Sequence, residues 1–161
     1  MTRNGLAGRL AVAVPAALLA GAYVSQYVFG LYPCEMCWWQ RYAHFIALVP
    51  ATIALFVRNP SARRSIVRIA GVTLIVAGLF GGYHAGIEYG WWEGMTSCSS
   101  TAISGDPLDA IMGSPVTRCD VAPWSLLGIS LAGWNFLVST VSGIAVLVLS
   151  APAARPRVGK A

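Results

Sequence analysis

The sequence predicts an all-α integral membrane protein: a four-transmembrane-helix bundle with two outer loops and both termini on the cytoplasmic side. Three observations lead there. The 161 residues are 57% hydrophobic and only 11% charged, against about 25% charged in a soluble domain. Four uncharged or nearly uncharged apolar runs each approach the roughly 20 helical residues that a bilayer core requires. The charges that remain are sorted along the chain rather than scattered.

The first run spans about residues 10–31 and the second about 38–57, broken near its start by Arg41. The third covers about 69–87 and the fourth about 124–149. Each is too long for a strand, and in lipid a segment must satisfy its own backbone polar groups, so all four read as helices. Arg3 and Arg9 before the first run, with Ala20-Gly21-Ala22 within it, also suit a secretory signal. The apolar character continues through Tyr23, Val24, Tyr27, Val28 and Phe29, which favours an uncleaved helix.

Nine of the eleven basic residues lie before the first run, between the second and third, or after the fourth. The positive-inside rule puts those segments in the cytoplasm and leaves loops of about 32–37 and 88–123 outside. The six acidic residues, Glu35, Glu88, Glu93, Asp106, Asp109 and Asp120, all fall toward the outer face. Trp38, Trp39, Trp91, Trp92 and Trp124 read as an interfacial belt on that face. Gly78, Gly82, Gly86 and Gly90 recur every fourth residue and form a stripe for close helix packing. Within the long loop, Asp106, Pro107 and Gly113 bound a short helix whose Leu108, Ile111 and Met112 can rest on the membrane surface.

All four cysteines, Cys34, Cys37, Cys98 and Cys119, fall in the outer loops, a setting that permits disulfides in a bacterial-type cell. A zinc site expects two closely spaced pairs, and the twenty residues between Cys98 and Cys119 argue against one. A bridge across those twenty residues can be a structural staple. The Cys34-x-x-Cys37 spacing closes too small a ring to constrain the chain and is typical of exchangeable redox pairs. Pro33 precedes the pair and suits helix entry, which places both sulfurs at or just before the first turn of the second helix, where the dipole favours a thiolate.

Arg41 lies one turn beyond Cys37 on the same face. Either it snorkels to the interface, or it faces the bundle and holds a polar ligand group. His84 and Glu88 share a face one turn apart, a functional pair or a mutually hydrogen-bonded one. His44 lies deeper on the Cys37–Arg41 face and reads as a packed or locally hydrogen-bonded residue.

Three stretches, PCEMCWWQR, YHAGIEYGWWEGMTSC and CDVAPWSLLGISLAGWN, closely resemble the disulfide bond formation protein B (DsbB) family, particularly its alphaproteobacterial-type members. The resemblance spans about residues 10–150. It implies an inner-membrane enzyme that reoxidises a DsbA-like periplasmic thioredoxin-fold protein and passes two electrons to ubiquinone or menaquinone. By position, Cys98 and Cys119 are the loop disulfide that meets the partner, with Cys98 carrying the mixed disulfide. Cys119 then exchanges with Cys34 and leaves Cys37 nearest the quinone, while Arg41 supports quinone binding. His84 falls near a quinone-proximal polar position whose spacing varies among members, and Gln40 stands where some members carry an acid. A vitamin K epoxide reductase-like protein is a second reading, opposed by the Cys-x-x-Cys pair preceding the loop cysteines. A non-catalytic scaffold with structural disulfides is a third.

Overall fold

The computed structural model describes residues 2–95 and 117–152. Cys98, the short helix expected at Asp106–Gly113 and the basic C-terminal tail lie outside these residues. Among the described residues there are four long helices: α1 (Arg3–Tyr27), α2 (Glu35–Phe56), α3 (Pro60–Glu88) and α4 (Leu131–Leu149). Of these, α1, α3 and α4 are long and apolar enough to cross a membrane. The apolar character of α2 is diluted by Gln40, Arg41 and His44, all of them buried.

Each helix packs on its sequence neighbour, and α4 closes the ring against α1. Hydrogen bonds fix which ends meet. Arg3 Nη2 at the start of α1 donates to the Val148 carbonyl at the end of α4 (3.0 Å). Arg41 near the start of α2 donates to the Ala22 carbonyl near the end of α1 (3.1 Å). The helices therefore alternate in direction, as short connections between neighbours require.

The radial distribution of side chains is inverted relative to a soluble bundle. Small residues fill the centre, with Ala7, Ala11, Ala47, Ala51 and Ala77 buried. Ile46, Val49, Ile53, Leu79, Val141 and Ile144 point outward and are exposed. Such a surface is tolerable where lipid rather than water is the solvent, and small residues let helices approach without a hydrophobic drive between them.

The glycine stripe behaves only partly as a helix-packing face. A methyl on Gly78 would come within 2.9 Å of the Thr140 backbone nitrogen, and one on Gly82 within 2.8 Å of the Phe136 ring, both on α4. Gly86 instead faces the Trp92 ring, and Gly90, at φ +70°, ends α3. Equally close backbone approaches use Gly81, off the stripe, where a methyl would sit 2.8 Å from the Ala132 carbonyl oxygen, and Gly143 on α4, where one would sit 2.8 Å from the Gly71 carbonyl oxygen.

Helix limits differ from the expected ones in every helix, α2 starting at Glu35 rather than near 38. α1 starts at Arg3 and ends at Tyr27, and α3 starts at Pro60, so both carry helix into the basic flanks. Asn59 caps α3 by accepting from Ser61 and Ala62 N–H, and Pro60 follows as a pre-organised first residue. The fourth helix begins at Leu131 rather than near 124, a correction to the sequence-based limits. Residues 125–130 form a miniature antiparallel hairpin, pairing Ser125 with Ser130 and Leu126 with Ile129. Its two turn residues, Leu127 (φ 54°) and Gly128 (φ 77°), both have positive φ, as a type I′ turn demands.

Candidate active site

Cys34 is the N-cap of α2: its sulfur accepts from the Cys37 backbone N–H at 3.3 Å. Helix geometry then brings Cys37 back over the cap, with the two sulfurs in hydrogen-bond contact at 2.8 Å and both cysteines free. Both precede the apolar stretch that begins at Trp38. The Cys34 thiol donates to the Cys37 sulfur, and this holds the Cys37 pKa below the ordinary thiol value despite burial. The same bond, together with burial, pushes the Cys34 thiol up. The hydrogen bond between them thus favours the thiolate on Cys37 and the shared proton on Cys34.

Cys119 is disulfide-bonded, and since Cys34 and Cys37 are free neither is its partner. It is completely buried, in one apolar cluster with Cys34, Met36 and Ile87. The sulfurs of Cys34 and Cys119 and a ring nitrogen of His84 all lie within 4.8 Å of one another. Three such groups could bracket a metal ion, but a sulfur already in a disulfide is not a thiolate ligand. What the cluster does juxtapose is a dithiol and a disulfide.

His84 is 2% exposed and ties these parts together. Its Nδ1 accepts from Gln40 Nε2 at 2.8 Å, so the proton sits on Nε2. That N–H faces the Cys119 carbonyl at 3.1 Å, the Cys34 sulfur at 3.7 Å and Glu88 Oε1 at 3.8 Å. The chain of bonds continues inward with consistent polarity. Gln40 Oε1 accepts from Asn135 Nδ2 (2.7 Å), and Asn135 Oδ1 accepts from His44 Nε2 (2.8 Å) and from the Ser139 hydroxyl (2.8 Å). His44 is left with an unprotonated, buried Nδ1 that has no partner among the described residues. The His84–Glu88 pair is therefore one edge of a larger network.

Arg41 does not snorkel. It is 6% exposed and faces α1, where Nη1 donates to Gln26 Oε1 at 2.5 Å and Nη2 to the Ala22 carbonyl at 3.1 Å. Its guanidinium lies 4.8 Å from the Tyr23 ring centre and 4.9 Å from that of Trp38. No carboxylate pairs with it among the described residues. Two carbonyl oxygens and two aromatic faces compensate the buried charge; each such cation–π contact contributes about 0.5–2 kcal/mol.

These groups open onto one cavity of about 240 Å³ lined by all four helices. Its walls are mostly apolar, from Leu18, Leu19, Ala22, Leu31 and Trp134. Its polar lining includes Cys37, Gln40, Arg41, His44, His84, Glu88 and Asn135. Cys37 lines the cavity and Cys34 does not, so the two sulfurs face different neighbours. Cys34 is directed to Cys119 and Cys37 to the cavity.

Of the residues singled out in the sequence, Cys34, Cys37, Cys119, Arg41 and His84 are thus brought together, and Cys98 lies outside the described residues. Gln26 and Asn135 were not anticipated. Asn135 carried a signal, since it is the sole side-chain amide in the apolar run from Leu131 to Leu149, and a polar group at that depth needs a partner.

The fold and the site define a class: a helical membrane protein with a free Cys-x-x-Cys dithiol beside a buried disulfide, at the edge of an apolar cavity. Residues 5–149 match the family described as disulfide bond formation protein DsbB. The chain is 32% identical over 155 residues to disulfide bond formation protein B of Polaromonas naphthalenivorans, covering 88% of this chain and 87% of the relative. It is also 32% identical over 157 residues to the Verminephrobacter eiseniae protein of the same name, covering 91% and 85%. An uncharacterized Rickettsia prowazekii protein, RP370, is 24% identical over 127 residues, covering 75% and 73%. No solved structure matches. The chain belongs to the DsbB family, and membership implies disulfide oxidoreductase activity in protein disulfide formation.

Proposed function

We propose that the protein is an inner-membrane thiol:quinone oxidoreductase that reoxidises a DsbA-like periplasmic thioredoxin-fold protein. The observation that carries the reading is the approach of the Cys34 sulfur to the disulfide-bonded Cys119 sulfur within 4.8 Å. Thiol–disulfide exchange requires such contact, and a thiolate to begin it. In this reading the disulfide partner of Cys119 is Cys98. The reduced soluble protein attacks Cys98, and Cys119 leaves as a thiolate. Cys119 then exchanges with an oxidised Cys34–Cys37 pair by bonding to Cys34, which releases Cys37 as a thiolate on the cavity side. The soluble protein's second thiol displaces Cys98 and that protein leaves oxidised; Cys98 displaces Cys34 from Cys119, which restores the loop disulfide and leaves the dithiol reduced. His84 Nε2–H, against the Cys34 sulfur and the Cys119 carbonyl, would hold these two cysteines in register for exchange.

The cavity fits a quinone head group in shape and in polarity. Its walls are apolar, Arg41 offers N–H donors for a carbonyl oxygen, and His44 Nδ1 and Glu88 Oε2 are buried acceptors without partners among the described residues. A bound ubiquinone or menaquinone supplies a two-electron acceptor more oxidising than an ordinary disulfide. Arg41 would hold the head group, with its orientation set by Gln26 and the Tyr23 and Trp38 rings. The apolar walls keep water from the Cys37 sulfur. We take α2 as a fourth span, because Phe45, Ile46, Val49, Ile53 and Phe56 expose an apolar stripe beside its buried polar face. The dithiol end then faces the periplasm.

The test is turnover in detergent with a reduced DsbA-type protein and a soluble quinone, followed by quinone absorbance. Cys37→Ala abolishes turnover; undiminished turnover contradicts the role of Cys37. Cys119→Ala accumulates a partner adduct at Cys98 on a non-reducing gel, and an adduct that instead requires Cys119 reverses the order of transfer.

A further inference from the structure

At the end of the bundle opposite the cysteines, the start of α1, the start of α3 and the end of α4 enclose a second cavity, of about 180 Å³. Arg58, Arg63 and Arg64 line it, together with Asn4 and Ser150. At about 30 Å³ of liquid volume per water, it has room for roughly six waters, enough for a phosphate group. We propose that this cavity binds the phosphodiester of an anionic phospholipid.

Charge is the first argument. No Asp or Glu occurs between Glu35 and Glu88 in the sequence. Those two carboxylates lie at the far ends of α2 and α3, roughly 30 Å away at 1.5 Å per helical residue. Arg3 is already engaged with the Val148 carbonyl, so it neither completes nor blocks the site. Three guanidinium groups thus share one cavity without a carboxylate among the described residues.

The second argument is an orphaned donor. Arg64 Nε is buried and has no hydrogen-bond partner among the described residues. A buried N–H of a charged group is costly to leave unmade, and a phosphate oxygen satisfies it. Asn59 already caps Ser61 and Ala62 N–H, so the start of α3 adds its dipole rather than free donors.

Position decides for a lipid rather than a soluble anion. The cavity lies at the ends of three helices that can cross a membrane, at headgroup depth, and exposed Leu55 and Phe56 lead away from Arg58 as a path for an acyl chain. Basic pockets between membrane helices bind anionic headgroups in this way.

The test uses the full chain in detergent with equal phosphatidylglycerol and phosphatidylcholine, and native mass spectrometry to count retained lipids. Wild type retains phosphatidylglycerol at least five-fold over phosphatidylcholine. Arg63→Gln with Arg64→Gln removes the preference, while Arg68→Gln, an exposed arginine one turn on and outside the cavity, keeps it. Equal retention of the two lipids by wild type, or equal loss in Arg68→Gln, overturns the proposal in favour of diffuse surface charge. Displacement of phosphatidylglycerol by millimolar inorganic phosphate overturns the lipid assignment in favour of a free anion. Should the double variant fold poorly, the single variant Arg63→Gln is set against Arg68→Gln in the phosphatidylglycerol-dependent rise of melting temperature: a smaller rise in Arg63→Gln alone supports the cavity, and equal rises overturn it.

Discussion

Gln40 holds the site together with a single side chain. Its amide nitrogen fixes the His84 tautomer and its amide oxygen accepts from Asn135, so one residue joins α2, α3 and α4. Gln40→Leu leaves His84 Nδ1 and Asn135 Nδ2 buried without these partners, at about 1–3 kcal/mol each. The expected outcome is a melting temperature several degrees lower and slower turnover; Gln40→Glu restores an acceptor for Asn135 but not the donor to His84. At the dithiol, the lowered Cys37 pKa means that its thiolate persists to lower pH than an ordinary thiolate. Alkylation of reduced protein should therefore fall off at lower pH than for a free thiol, and Cys34→Ala, which removes the donating thiol, should move the profile up. An unchanged profile in Cys34→Ala contradicts the shared proton. The motif alone disclosed Cys34, Cys37 and Arg41. It could not disclose that Arg41 rests on Gln26 or that Gln40 meets Asn135, because contacts 15 and 95 residues apart depend on how helices pack in register.

Among the elements, the α3–α4 contact carries the most extensive packing and depends on missing side chains. Gly81→Ala places a methyl 2.8 Å from the Ala132 carbonyl and 2.9 Å from the Phe136 nitrogen, both backbone atoms that cannot swing aside. A loss of about 1–3 kcal/mol is expected, read as a lower melting temperature. Gly21→Ala, with nothing within 4 Å, is neutral or slightly stabilising by its better helix propensity. Apolar run length disclosed four helices, and the glycines disclosed α3 as a packing helix. The hairpin before α4 stayed hidden because Trp124–Leu149 is uncharged throughout and mostly apolar, and a turn built on Leu127 lacks the two small residues that usually announce it. Gly128 was the only local hint.

For the whole molecule, charge along the chain and the alternating helices agree. The basic ends of α1, α2 and α3 gather opposite the cysteines, as Arg3 bound to Val148 requires. In an otherwise cysteine-free chain, Gly30→Cys should react with an impermeant maleimide in intact spheroplasts. Asn59→Cys should react only after permeabilisation, and the reverse pattern contradicts the proposed orientation. The same arrangement gives the molecule two ends with different chemistry: a network of thiols and hydrogen bonds at one, a cavity lined by three arginines at the other.

The central claim is that electrons move between the loop disulfide and the dithiol through Cys34 and Cys119, whose sulfurs lie within 4.8 Å. Its most direct test is peptide mapping of acid-quenched Cys37→Ala protein under non-reducing conditions. Without Cys37 to resolve it, a Cys34–Cys119 disulfide should accumulate and Cys98 should become alkylable. A Cys34–Cys98 bridge, or Cys34 remaining a free thiol beside an intact loop disulfide, would contradict the account.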